Sequence, residues 1–144
     1  MKFTKQPVVL ITKKIEFSSA HRLVNHDLSE EENLELYDKC YNPNGHGHNY
    51  ILEVTLKGPI SKKTGMIINL TSLKNVINRS VVDIMDHKNL NEDVEHFKDL
   101  NPTAENLIVV IWKLLEKEFE EQLLYRLVLR ETSNNIVEYY GEEI

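Results

Sequence analysis

Apolar residues recur with two periods along this chain, and the change from one to the other separates strands from helices. Val8–Phe17 is dense in β-branched and apolar side chains, with Ile11, Ile15 and Phe17 on one face, and reads as a strand. From His46 to Lys57 a regular alternation puts His46, His48, Tyr50, Leu52, Val54 and Leu56 on one side, and Gly58-Pro59 ends the run. Met66–Asn69, after a turn at Gly65, predicts a short further strand. Leu124–Thr132 and Ile136–Tyr140 predict a hairpin around Ser133-Asn134-Asn135, with Tyr125, Leu127, Leu129 and Glu131 on one face.

The helical period occupies the remainder. Ser29-Glu30-Glu31-Glu32 is a capping-box pattern that opens a short helix through about Tyr37. Leu73, Val76, Ile77, Val81 and Ile84 predict a helix over Thr71–Met85. Thr103 caps a longer one, with Leu107, Val110, Ile111, Leu114 and Leu115 inward. Strands grouped at both ends of a helical middle indicate an α+β fold, with helices on one face of an antiparallel sheet. The other face also carries apolar residues, and association with further subunits is the simplest cover for it.

At 144 residues the chain fits one domain, 1–144, with enough length for its own core. No repeat, low-complexity block or linker interrupts it. The net charge of −6 argues against a general nucleic-acid or membrane-surface role, though a local cluster of cations can still take an anionic substrate. Met1 leads into a polar, lysine-containing stretch without a long apolar run, so neither signal peptide nor membrane-spanning helix is expected. Cys40 is the single cysteine, so no intramolecular disulfide can form; a reducing, cytoplasmic location fits.

His46 and His48 lie two apart at the start of a predicted strand, so both imidazoles project to one face. His21 lies just beyond the first strand. If those two strands pair antiparallel, His21 arrives beside the His46/His48 pair. Three neutral imidazoles suit zinc and leave a fourth position for water or substrate, which is a catalytic rather than a closed structural set. His26 and His96 sit in polar stretches and read as surface residues.

The string Cys40-Tyr-Asn-Pro-Asn-Gly-His-Gly-His-Asn-Tyr50 resembles the signature of the 6-pyruvoyl tetrahydropterin synthase family, in its animal form. Phe17-Ser-Ser-Ala-His-Arg-Leu23, Gly65-Met66, Met85-Asp-His-Lys-Asn-Leu90, Pro102-Thr-Ala-Glu-Asn106 and Glu131-Thr132 match further family blocks in order, from about residue 15 to about residue 141. The resemblance implies the tunnelling fold (T-fold): a four-stranded antiparallel sheet with two helices on one face. Three subunits would close a twelve-stranded barrel, and two trimers would stack into a homohexamer with active sites at subunit interfaces. It implies conversion of 7,8-dihydroneopterin triphosphate into 6-pyruvoyl tetrahydropterin, with triphosphate eliminated and no external redox cofactor.

The same resemblance assigns roles. His21, His46 and His48 match the family's zinc ligands. Cys40 matches its catalytic base; a thiol needs a cationic neighbour to ionise at neutral pH, and zinc or a histidine could provide one. Asp86 and His87 match the partners of that base, able to come from a neighbouring subunit. Glu131 matches the pterin anchor, since one carboxylate fits the two-donor edge of the ring; an ion pair with Arg126 or Arg130 is the plainer reading. Thr103 matches a ring-holding threonine as well as an N-cap. Arg22, Lys39 and Lys88 are candidates for the triphosphate, with no ground for choosing among them.

Three rivals are to be weighed on these grounds. A 6-carboxytetrahydropterin synthase usually carries its cysteine nearer the His-x-His pair. Here five residues, Tyr41 to Gly45, separate Cys40 from His46, which favours the pyruvoyl branch. A relative that cleaves the side chain has glutamate in place of the cysteine. A non-catalytic zinc- or pterin-binding module is the alternative from another class.

Overall fold

In the computed structural model, which describes residues 1–144, β1 (Val8–His21) and β2 (His46–Pro59) pair antiparallel over their whole length, from Val8 opposite Pro59 to His21 opposite His46. The first strand therefore runs four residues past Phe17, through His21, and carries that histidine within the sheet rather than beyond it. A short strand β3 (Lys88–Asn89) adds parallel to the outer edge of β1. β4 (Leu124–Arg130) and β5 (Ile136–Tyr139) complete a five-stranded sheet in the order β3-β1-β2-β4-β5. Four long or paired strands match the expected sheet, and β3 is the addition. Met66–Asn69 forms no strand; it is a bend whose Asn69 side chain caps the next helix by accepting from the Thr71 and Ser72 N–H groups.

Helix α1 (Glu30–Tyr37) opens with the predicted reciprocal box: the Glu32 N–H donates to Ser29 Oγ, and the Ser29 N–H to Glu32 Oε2 at 2.8 Å. Helix α2 (Leu70–Ile77) loosens into a π-helical stretch, Asn78–Val82, before a last α-turn at Asp83–Met85. That wider turn shifts the inward phase by one residue. Met85 is fully buried where the regular period had placed Ile84, which is only partly covered. In α3 (Ala104–Leu115) the buried face is Leu107, Ile108, Ile111, Trp112 and Leu115, so Ile108 and Trp112 displace Val110 and Leu114, which are half-buried. Trp112 turns toward β5, where its ring packs edge-on against Tyr139.

Both long helices lie on one sheet face, and the core is built from them and from Phe17, Tyr50, Leu52, Val54, Leu56, Leu127 and Leu129. A bulge opposite Thr55/Leu56 shifts the start of β4, so Leu124 packs in the core and Tyr125 is exposed instead of joining the Leu127/Leu129 row. The opposite face carries apolar residues, as expected, the exposed Val8 and Leu10 among them, beside polar pairs. Its cross-strand neighbours include the hydrogen-bonded pairs Thr12–Thr55 and Arg130–Glu53, with Val128 a buried apolar residue among them.

Candidate metal centre and active site

The antiparallel register brings three imidazoles to one end of the core face. His21 is directly opposite His46, and Ser19 is opposite His48, so the three rings stand side by side on adjacent strands. Their ring centroids are 4.6 to 5.2 Å apart, and one ligand nitrogen from each lies within 4.8 Å of the others. Gly45 makes this approach possible. Its φ of +68° favours glycine, and a Cβ there would meet the His21 carbonyl oxygen at 2.8 Å.

His21 is 1% exposed, and burial pushes its pKa down to about 4, keeping the ring neutral. Its Nδ1–H donates to the Pro102 carbonyl at 2.7 Å, because a carbonyl can only accept. The lone pair is thereby fixed on Nε2, which points at His46 Nε2 across 3.0 Å. Zinc–nitrogen bonds of about 2.0–2.1 Å in a tetrahedral set put ligand nitrogens roughly 3.3 Å apart, close to that spacing. His48 Nε2 is buried without any hydrogen-bond partner, as a nitrogen reserved for a cation would be. The donor set fits a divalent metal with an open position.

Glu131 lies one residue past the last β2–β4 pair, on the side of Tyr50. Its carboxylate is 17% exposed and approaches His48 Nε2 at 3.9 Å and His21 Nε2 at 4.0 Å. Neither Arg126 nor Arg130 pairs with it, and Arg130 bonds Glu53 instead. Tyr50 is fully buried beneath the cluster, its hydroxyl 3.4 Å from His21 Nδ1. Burial first, then the charges of Glu131 and Cys40, push that phenol above its ordinary value.

Cys40 sits in a 3₁₀ turn, Asp38–Tyr41, with its thiol partly exposed. The turn is tied to the end of β1: the Leu23 N–H donates to the Cys40 carbonyl at 2.8 Å. Within one chain the thiol is pushed up, by burial and then by Glu131 and Asp38. Lowering it takes a cation, and a bound dication or an imidazolium from elsewhere would act in that direction.

Asp86 and His87 do not join this group in a single chain. Asp86 Oδ1 accepts from the Ser18 N–H at 2.8 Å, on the outer edge of β1, and Oδ2 bonds His87 Nδ1 at 2.8 Å. His87 adopts φ +57°, and its ring is 83% exposed. The pair is preformed and faces solvent. Thr103 caps α3 by accepting from the Asn106 N–H, which fixes the loop carrying Pro102. Lys39 and Lys88 are exposed, as are His26 and His96. A cavity of about 710 Å³, lined by Arg22, Gly45, Asn91 and Asn101 among others, lies beside the cluster; none of the three clustered histidines lines it.

Sequence reasoning missed Tyr50, Pro102 and the asparagines that hold the loops. Pro102 acts through its carbonyl, which leaves no side-chain signal. Asn33, 2% exposed, accepts from the Asn25 N–H and donates to the carbonyls of Asn25, Leu28 and Ser29, closing the loop before α1.

A family profile described as 6-pyruvoyl tetrahydropterin synthase matches residues 10–142. The chain is 45% identical over 139 residues to a Drosophila melanogaster 6-pyruvoyl tetrahydrobiopterin synthase, covering 96% of this chain and 83% of that protein. It is 48% identical over 132 residues to the Homo sapiens protein of the same name, covering 92% and 91%. A solved Caenorhabditis elegans 6-pyruvoyl tetrahydropterin synthase superposes with a TM-score of 0.91 at 38% identity, over 97% of this chain and all of that one. Fold, motif order and these likenesses agree: the chain belongs to the 6-pyruvoyl tetrahydropterin synthase family.

Proposed function

We propose that this chain is a zinc-dependent carbon–oxygen lyase. It converts 7,8-dihydroneopterin 3'-triphosphate to 6-pyruvoyl tetrahydropterin and releases triphosphate, in tetrahydrobiopterin synthesis. The observation that carries this reading is the meeting of three imidazoles and the Glu131 carboxylate at one end of the sheet, with Cys40 tethered alongside. Relatives bearing the synthase name at 45–48% identity support it.

The reaction moves protons and two electrons within one molecule. The side chain loses triphosphate and ends as a diketone with a terminal methyl, while the ring gains the two electrons and becomes tetrahydro. No external oxidant or reductant is required. His21, His46 and His48 would hold zinc, whose Lewis acidity would make the C–H bonds beside the substrate's hydroxyls more acidic. Cys40 takes protons from those carbons and returns them. Glu131 accepts from the ring's 2-amino and N3–H groups, orienting the side chain toward the thiol. Thr103 borders the same end of the site and assists in holding the ring.

Asp86 and His87 serve as proton relay for the Cys40 of an adjoining subunit in a homohexamer. Two observations support that: the pair is preformed, and its imidazole is exposed on the outer edge of β1. A cytoplasmic setting agrees with the single reduced cysteine. The decisive comparison is triphosphate release by zinc-loaded protein against a Cys40→Ala variant that retains its metal. A base removed from the reacting carbon lowers turnover by about 10²- to 10⁴-fold. Equal release by both proteins would refute the assignment.

A further inference from the structure

Arg22 follows His21 directly and is one of three cations that the sequence offers for the triphosphate. Its Nε–H and one face of its guanidinium are engaged elsewhere, while the side chain also lines the cavity beside the cluster. Nε donates to the Tyr41 carbonyl at 2.9 Å, and the guanidinium carbon lies 4.3 Å from the centre of the Tyr41 ring. Tyr41 is the last residue of the turn that carries Cys40. The backbone of Arg22 is itself fixed from the other side. Asn91 Oδ1 accepts from its N–H at 2.8 Å, and Asn91 Nδ2 donates to its carbonyl at 2.9 Å.

The turn Asp38–Tyr41 continues from α1, where the Leu34 carbonyl accepts from the Asp38 N–H, and core packing adds little to that hold. None of its four residues is buried, and no side chain caps its start. Hydrogen bonds and the stacked guanidinium, rather than core packing, set where the thiol stands. The Leu23–Cys40 bond is backbone to backbone, so the Arg22–Tyr41 contact supplies the side-chain part of the tether.

We infer that Arg22 is a positioning residue for Cys40, clamping the cysteine turn to the end of β1, and that its chief role is not to bind the triphosphate. The inference rests on the reading of Cys40 as the base. A thiol displaced by about 1 Å from its working position can lose up to 10²-fold in rate. Loss of the clamp therefore lowers kcat about 10- to 100-fold while leaving substrate affinity in place.

The test uses zinc-loaded Arg22→Gln and Tyr41→Leu, the second of which keeps the backbone acceptor and removes only the ring. Three quantities are read: kcat against KM, inhibition by inorganic triphosphate, and the rate of Cys40 alkylation by iodoacetamide. The clamp predicts that both variants lose kcat together, change the alkylation rate severalfold, and keep KM and triphosphate inhibition within about twofold. If Arg22→Gln raises KM and weakens triphosphate inhibition about tenfold, with Tyr41→Leu behaving as wild type, Arg22 is a phosphate ligand and the inference is overturned. Should Arg22→Gln fail to fold, Tyr41→Leu decides alone: unchanged kcat and alkylation overturn the clamp. Full turnover by Cys40→Ala would instead remove the assigned base, an outcome distinct from either result for the clamp.

Discussion

His21 Nδ1 donates to the Pro102 carbonyl at 2.7 Å, and that bond links the buried histidine of the three-imidazole cluster to the residue just before the cap of α3. Thr103 then has two ways to matter, and they separate experimentally. Thr103→Ala removes the cap and costs about 1 kcal/mol of stability, read by thermal or urea unfolding. It also loosens the carbonyl that orients His21, so zinc affinity, measured by chelator competition, falls about tenfold. A change in KM for the pterin beyond the loss of metal would add the ring-holding role.

Gly45 lets the β2 start approach His21. Gly45→Ala forces an alanine to φ +68° with its Cβ 2.8 Å from the His21 carbonyl oxygen. The strain costs about 1–3 kcal/mol, and relief by moving the strand ends apart spreads the ligand nitrogens. Reduced stability together with reduced zinc affinity is expected. Gly65→Ala, where no atom lies within 4 Å but φ is +72°, carries the backbone strain without the clash and leaves zinc affinity intact.

The Asp86 carboxyl is held below its ordinary value of 3.8, chiefly by the Ser18 N–H and then by His87. A carboxyl with a depressed folded-state pKa adds stability above its unfolded value and loses it as pH falls through the folded one. Wild type therefore loses urea resistance through the acid range below about pH 4 more steeply than Asp86→Ala. Parallel curves for the two proteins would contradict this. At neutral pH, the same variant loses turnover while keeping its zinc.

Much of this was legible in the sequence because periodicity is a local fact. The alternation from His46 to Leu56 reads directly as a core-facing row, and the register of its pairing with β1 sets His21 opposite His46. The departures arise from events that alternation does not encode. A π-turn in Asn78–Val82 exchanged Ile84 for Met85, and a bulge near Tyr125 broke its row while leaving Leu127 and Leu129 in place. Met66–Asn69 has strand-like residues, but Asn69 is committed to capping α2. The role of the Pro102 carbonyl and the clamp of Arg22 on Tyr41 depend on distant segments meeting, and composition gives no sign of either.

Metal removal gives a further expectation. Dialysis against a chelator abolishes turnover, zinc restores it, and His46→Ala is not restored, since two imidazoles leave the set one ligand short. Sedimentation of the zinc-loaded protein at micromolar concentration gives a species near six chains. A clean monomer with full activity would contradict a relay supplied by a neighbouring subunit.

Mass spectrometry of the product formed from 7,8-dihydroneopterin triphosphate separates the possible reactions in one measurement. The expected product is 6-pyruvoyl tetrahydropterin, with one triphosphate released per turnover. A 6-carboxy or 6-hydroxymethyl product, or pterin bound without triphosphate release, would contradict it.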